Sequence, residues 1–437
     1  MSDAKTTAVK STETAKEAYK IVKKMYSRAR EAMAQGAPVA WVMAASIAEE
    51  MLHTMDVVPI YTENYGAVCA AKKGAAPLLM AAEAEGYSNV ICGYVRTGIG
   101  HCIKRKELGR IPPDAPEGGM ADPTLLIGSS TGCDPRFKWY QALGRYLDVP
   151  YFALDAVMPP PSVDPDEIRE YYVAYLIKEL KKMKEFLEKT LGRKMDESRL
   201  MEAVITSEQT KTWWWKCYEI RRAVPCPMPT EDMLSCVAPG MYYPSYPESM
   251  EFYRKLYAEL EERVKHKISV VPDEKYRLLW GGGLPPWHSM NIFNYFEQLG
   301  AVFVIETCYC QYEPLEDAYK YNDPIERLAR WHFNRMSSKH KKALQKGTGS
   351  PRIQRLLDWI DEYKTDGLVM HSSVSCRATT IGQIFYKNVI QDYVKIPTLF
   401  MESDLVDERN YSEAQTKANV SAFIDILEAY KEKRRQT

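Results

Sequence analysis

The stretch PTLLIGSSTGCDPRFKWYQALGRYLDVPYFALD (residues 123–155) decides the fold. It opens with a short apolar run bounded by turn residues, the pattern of a strand buried on both faces. Pro135 to Tyr146 reads as a helix, and VPYFALD as a second strand. A strand–helix–strand series of this kind implies a parallel sheet with right-handed crossovers. Upstream, residues 11–35 have helical spacing, and PVAWVMA (38–44) reads as a strand. The helix SIAEEMLHTM follows, with Ser46 as N-cap and Glu49 in capping-box register. VVPIYT is the next strand, and PLLMAAEAEG is a helix closed by Gly86 at its C′ position. Downstream, PPPSVDP (159–165) breaks the pattern, and a charge-rich helical region runs to about residue 265. A second α/β unit starts at YRLLWGGG (276–283). It continues through the helix around NIFNYFEQLG, the strand AVFVIET, a helical excursion over 315–363, the strands DGLVMHSS and IPTLFMES, and a last helix. The chain is therefore read as α/β. Two flavodoxin- or Rossmann-like parallel-sheet domains (38–160 and 271–437) are joined by a helical domain (161–270) and preceded by a helical segment (1–37).

The composition narrows the function. Fifty-eight basic and 58 acidic residues give a net charge of zero, so no basic nucleic-acid surface is indicated. No run approaches the roughly 20 apolar residues that span a bilayer, and the polar start lacks a signal-peptide core. These features predict a cytoplasmic protein. Ten cysteines in such a chain point to metal or redox work rather than disulfides. There is no paired CxxC for a zinc ribbon and no GxxxxGK[ST] for ATP. GYVRTGIG and WGGGLPPW do not fit a dinucleotide fingerprint, so no nucleotide site is expected. The glycines of WGGGLPPW are read as a tight turn after a strand. The 29 tyrosines and 9 tryptophans suit an aromatic pocket or packing. Those of TWWWKC (212–217) cannot all face one way on a helix and are assigned to packing.

Three cysteines stand out: Cys92 in SNVICGYVR, Cys133 in LLIGSSTGCDPR and Cys376 in VMHSSVSCRATT. The last two directly follow strand-like runs, and ligand sites of open α/β sheets collect beyond the carboxyl ends of strands. Three thiolates converging there could hold an iron–sulfur centre and leave one coordination position free. The alternative is three small buried hydrophobes. Cys69, Cys102, Cys308 and Cys310 are candidates for a fourth thiolate. Cys308 and Cys310 read as structural. Cys102 is expected not to coordinate, because GHCIKRKELG reads as the start of a charged, solvated helix.

EEMLHTMDVVP (49–59), the three cysteine loops, LLWGGGLPPW (278–287) and the closing IPTLFMESD…SAFIDIL together resemble the 2-hydroxyacyl-CoA dehydratase and benzoyl-CoA reductase family. Within it, the chain is most similar to the B (O-type) subunit of ATP-dependent benzoyl-CoA reductases. The family pattern P-x-E-L…A-x-G-x-x-P is met at Glu50 and Pro59, while Ala48 and Asp56 replace its proline and glycine. The resemblance implies a [4Fe-4S] cluster held between two α/β domains by Cys92, Cys133 and Cys376. It also implies a smaller homologous catalytic subunit, an ATP-hydrolysing activator with its own [4Fe-4S] cluster, and ferredoxin as upstream donor. Low-potential electrons would reach the aromatic thioester of benzoyl-CoA, giving a ketyl-like radical anion and then a cyclic diene. In a dehydratase the same electron is recycled to expel water from a 2-hydroxyacyl-CoA. A third reading is a cluster-bearing partner that only relays electrons. Protons would come from nearby acids, for which the sequence offers Glu50 and His288, with His101 and His371 as replacements. Without the resemblance, Glu50 would be a solvated surface group and His288 a hydrogen-bonded loop histidine.

Overall fold

A computed structural model describes residues 8–309, 313–314 and 320–436; Cys310 lies outside them. The first sheet contains β1 (Val39–Val42), β2 (Val58–Tyr61), β3 (Leu125–Ser129) and β4 (Tyr151–Leu154). The second contains β5 (Tyr276–Gly281), β6 (Ala301–Glu306), β7 (Gly367–Ser373) and β8 (Thr398–Ser403). Both are all-parallel, with orders β2-β1-β3-β4 and β6-β5-β7-β8. Every residue of β1, β3, β5 and β6 is buried, which explains why their sequences read as continuous apolar runs rather than alternating ones. In each sheet the chain winds first to one side of the opening strand and then to the other. The switch points are therefore β1/β3 and β5/β7, where such folds place their ligands.

The helices are α1 (Glu13–Ala34), α2 (Glu49–Thr54), α3 (Thr62–Ala71), α4 (Ala76–Ala84), α5 (Gly93–Leu108) and α6 (Asp134–Leu147) around the first sheet. Next come α7 (Pro165–Leu191), α8 (Glu197–Glu219), α9 (Thr230–Ser235), α10 (Val237–Tyr242) and α11 (Pro247–Lys265). Interspersed with the second sheet's strands are α12 (Ile292–Glu297), α13 (Pro324–Ser337), which packs back on α7 and α8, α14 (His340–Lys346), α15 (Pro351–Glu362), α16 (Arg377–Thr380), α17 (Gln383–Val394) and α18 (Glu413–Gln436). Among the described residues no helix is long and apolar enough to cross a membrane.

Local chemistry fixes several ends. Asp164, Asp196 and Asp323 cap α7, α8 and α13 through their side chains, each accepting from otherwise unpaired first-turn N–H groups. The expected cap at Ser46 is not formed. The N-terminal flank of α2 is Ala48, Ala45 and Ile47 have positive φ (61° and 62°), and the Ser46 hydroxyl is buried without a partner among the described residues. The chain between β1 and α2 is thus a tight, unusual loop rather than a capping box. Gly282 shows why WGGG must turn as it does: at φ +82° a Cβ there would lie 2.7 Å from the His371 carbonyl oxygen. Trp214 is fully buried and stacks on Tyr253 at 5.7 Å, so TWWWKC serves packing.

Candidate active site

Cys133 immediately precedes α6 behind β3, and Cys376 immediately precedes α16 behind β7. The two thiols stand at the switch points of the two sheets. Cys92 immediately precedes α5, and the first turn of that helix docks onto the second sheet's loops. Gly93 N–H donates to Ser375 Oγ at 3.2 Å, tying the Cys92 turn to the residue before Cys376. Ser375 donates in turn to Asp404 Oδ2, whose other oxygen accepts from the Val406 and Asp407 amides at 2.9 Å. Gly93 is required here: a Cβ would sit 2.8 Å from Val406 Cβ and 3.0 Å from Asp404 Oδ1. Arg96, one turn on and fully buried, donates to the Ile91 carbonyl at 2.8 Å, to Glu83 at 2.6 Å and to Asp407 at 3.2 Å. One guanidinium thus clamps the Cys92 turn, α4 and the segment after β8.

The Cys92 and Cys133 thiols both feel the Cys376 sulfur. Burial pushes the Cys92 thiol up to about 12, and the neighbouring Cys376 and Cys133 sulfurs add to the rise. The Tyr94 and Val95 amides oppose it by donating to Cys92. Burial also raises Cys133, against the Arg136 amide and guanidinium, with Cys376 again adding to the rise. Cys92 is 9% exposed, while Cys133 and Cys376 are half-buried. Among the described residues no three His, Cys, Asp or Glu side chains are close enough to grip a single metal ion.

The remaining cysteines lie elsewhere. Cys102 is not at the start of a solvated helix: α5 begins at Gly93, and Cys102 is buried within it. Ten residues of helix carry it about 15 Å along the axis from Cys92. The groups that perturb its thiol besides burial are Arg105 and Asp122, not another cysteine. Burial raises the Cys69 thiol to about 12, with Tyr65 opposing, and the Cys308 thiol donates to the Gly283 carbonyl at 2.8 Å.

The candidate acids are all in protected positions. Glu50 is not a solvated group. It is 1% exposed, and its Oε1 accepts from Ser207 Oγ at 2.5 Å and Lys211 Nζ at 3.2 Å. His288 is buried between the Asp404 carbonyl (2.9 Å) and Ser289 Oγ (2.9 Å), beside a small cleft lined by Lys73, Val406 and Glu408. His371 bridges the Leu284 carbonyl (2.6 Å) and Ser403 Oγ (2.7 Å), pinning the WGGG turn to the second sheet. His101 accepts from the Met120 amide at 3.4 Å and packs against Trp41 and Tyr65. These two histidines have structural tasks, and burial lowers both to about 4.

Sequence reasoning passed over the groups that link the carboxyls to the thiols. Arg136, three residues after Cys133, bonds Glu63 at 2.8 Å and the Ala44 carbonyl, joining the Cys133 turn to the loop after β1. Tyr61 ends β2 within electrostatic reach of Glu49 and Glu50, stacks on Tyr242 at 4.3 Å and donates to the Tyr242 carbonyl at 3.2 Å. Tyr242 and Cys92 both influence Tyr94, whose hydroxyl accepts from Trp287. A series of buried aromatic rings therefore leads from Cys92 to the α2 carboxyls. Tyr61 closes a strand and is a legible candidate; Tyr242 and Lys211 lie in helices where no pattern singles them out.

This architecture defines a two-sheet α/β protein with cysteines at both switch points. A family model described as 2-hydroxyglutaryl-CoA dehydratase, D-component, matches residues 45–427, and the chain belongs to that family. It is 26% identical over 410 residues to the alpha subunit of lactoyl-CoA dehydratase of Anaerotignum propionicum, covering 92% of this chain and 93% of the relative. It is also 26% identical over 397 residues to the B subunit of benzoyl-CoA reductase of Thauera aromatica, covering 87% and 86%. With the alpha subunit of (R)-2-hydroxyglutaryl-CoA dehydratase of Acidaminococcus fermentans it shares 22% over 484 residues, covering 95% and 97%. These relatives are enzyme subunits, and their names include both a reductase and dehydratases.

Proposed function

We propose that Cys92, Cys133 and Cys376 hold a [4Fe-4S] cluster, and that this chain is the cluster-bearing subunit of an ATP-dependent benzoyl-CoA reductase acting on benzoyl-CoA or a ring-substituted analogue. The observation that supports the reading is that Cys133 and Cys376 each open a helix behind a switch-point strand, while the Gly93–Ser375 hydrogen bond ties the Cys92 turn to the residue before Cys376. The donor set suits the group. Cluster iron takes thiolates, and amide N–H groups already point at Cys92 and Cys133. When bound, the cluster would supply low-potential electrons and, at an iron without a cysteine, a Lewis-acidic position.

The chain's own residues do the rest. Arg96, Gly93 and Asp404 fix the cysteine turns against each other. The buried rings of Tyr61, Tyr94 and Tyr242 exclude water, which strengthens every electrostatic interaction with developing charge. The α2 carboxyls stand at the far end of those rings. The partners are a smaller homologous subunit, an ATP-hydrolysing activator with its own cluster and ferredoxin, and the assembly works in the cytoplasm. The aromatic series supports the benzoyl reading. The equal identity to lactoyl-CoA dehydratase supports a second, dehydration of a 2-hydroxyacyl-CoA.

The deciding experiment is anaerobic purification with the partner subunits, followed by turnover assays with benzoyl-CoA and with 2-hydroxyacyl-CoA. Reductive consumption of benzoyl-CoA is expected. Dehydration without ring reduction selects the second reading, and turnover of neither overturns both.

A further inference from the structure

Between α2, α8 and α13 lies a buried group of ionisable side chains: Glu49 and Glu50 from α2, Lys211 from α8, and His332 and Arg335 from α13. Glu50 is committed, with Ser207 and Lys211 on one oxygen. Glu49 beside it has an Oε1 with no hydrogen-bond partner among the described residues, and neither does either ring nitrogen of His332, which is 1% exposed. The Ser46 hydroxyl, in the loop leading into α2, is fully buried and also lacks one. Glu49 and His332 share the same charged neighbours, Lys211 and Arg335. Buried polar atoms are normally satisfied, so their concentration in one place marks where a polar ligand group or a mobile proton belongs.

The pair has an uneven division of charge. Two adjacent carboxyls in a buried site cannot both ionise. Lys211 and Ser207 sit on Glu50 and not on Glu49, so Glu50 keeps the charge and Glu49 the proton. Burial, reinforced by the Glu50 charge, raises Glu49, with Lys211 and Arg335 opposing. Burial works against charge on Glu50 too, but Lys211 and Ser207 outweigh it and its pKa is lowered. Glu208, which also feels Glu50, is neutralised by Arg327 at 2.8 Å. Environments that separate two neighbouring acids assign the donor and the anion between them. Tyr61, the last ring of the series from Cys92, feels Glu49 more strongly than Glu50.

We propose that Glu49 is the proton donor to the acyl group, and that Glu50 is the positioning anion that keeps Glu49 protonated. The inference rests on the proposed reductase reading. The Glu49 O–H bond breaks, its electron pair stays on the carboxylate, and the proton forms a C–H bond on the one-electron-reduced aromatic thioester. The electron comes from the ATP-driven activator, and Glu49 takes its next proton from solvent.

The test uses the assembled enzyme. Glu49→Gln should lower kcat about 100-fold or more with KM nearly unchanged, while electron delivery to the cluster, read by EPR, persists. Glu50→Gln removes the charge that holds the proton on Glu49, so the high-pH limb of the rate profile should move to lower pH. Turnover of Glu49→Gln within twofold of wild type, or an unmoved limb in Glu50→Gln, overturns the proposal. A substrate-independent readout separates it from the functional reading: infrared difference spectra of the purified chain at neutral pH should show a protonated-carboxyl band that Glu49→Gln removes. If neither acyl-CoA class is turned over, the functional reading fails and this band alone decides where the proton sits; its absence overturns the assignment.

Discussion

Gly93→Ala adds one methyl group at a tight point of the seam between the two α/β units. In an unobstructed helix the change from glycine to alanine is favourable by about 0.5–1 kcal/mol. Here the new carbon would lie 2.8 Å from Val406 Cβ and 3.0 Å from Asp404 Oδ1. Neither neighbour can yield easily. Val406 is 1% exposed, and Asp404 is held by two backbone amides and the Ser375 hydroxyl. Overpacking of this kind costs about 1–3 kcal/mol, and relief by moving α5 stretches the Gly93–Ser375 hydrogen bond, worth about 0.5–1.5 kcal/mol. Net destabilisation of about 1–2 kcal/mol is expected, with Cys92 displaced from Cys376. Urea unfolding measures the first effect, and iron content after anaerobic reconstitution the second. A variant as stable as wild type with undiminished iron would refute the account of the seam.

Other outcomes follow from the same geometry. Alanine at Cys92, Cys133 or Cys376 should remove most of the iron and sulfide, whereas Cys102→Ala should leave the cluster spectrum and turnover nearly unchanged; cluster loss in that variant would instead favour the electron-relay reading. Arg96→Ala removes the bonds to the Ile91 carbonyl, Glu83 and Asp407, the last still held by Arg409, and should cost about 1–3 kcal/mol, read as a lower urea midpoint. Burial holds His101 neutral, down to about 4. Below its ordinary value of about 6.5 the unfolded chain takes up a proton that the native state refuses, so stability should fall by up to about 3 kcal/mol as pH drops from 6.5 to 4. His101→Gln should flatten that slope. Asp407 behaves oppositely: burial raises its pKa, but Arg409 and Arg96 outweigh it and the result is lowered. Its contribution should persist at pH 5 and be lost only as pH falls below about 4, visible as faster hydrogen exchange around Cys92.

The fold was legible because β1, β3 and β5 to β7 are buried runs bounded by Gly and Pro, and because the crossover helices alternate with them. The cysteine turns were legible for the same reason: Cys133 and Cys376 follow strands directly. What escaped was everything set by tertiary packing. GHCIKRKELG has a charged second half that suggests solvent, yet its first half is buried within a helix that α4 and α6 flank. Ser46 matched a capping box, but the loop after β1 turns through two positive-φ residues and the hydroxyl never reaches the helix. Glu49 and Glu50 are adjacent and alike in sequence. Only Lys211 and Ser207, some 160 residues away in the chain, make one an anion, while the Oε1 of the other has no partner among the described residues. Tyr242 and His332 lie in segments where no pattern marks them out.

The central claim is that three cysteines from both α/β units share one cluster. Iron and sulfide analysis with Mössbauer spectroscopy of the anaerobically purified chain, compared with Cys133→Ala and Cys376→Ala, tests it most directly. The account predicts the iron and sulfide content and spectrum of a single four-iron cluster, lost in both variants. Wild-type protein without iron, or a cluster that survives removal of either cysteine, would contradict it.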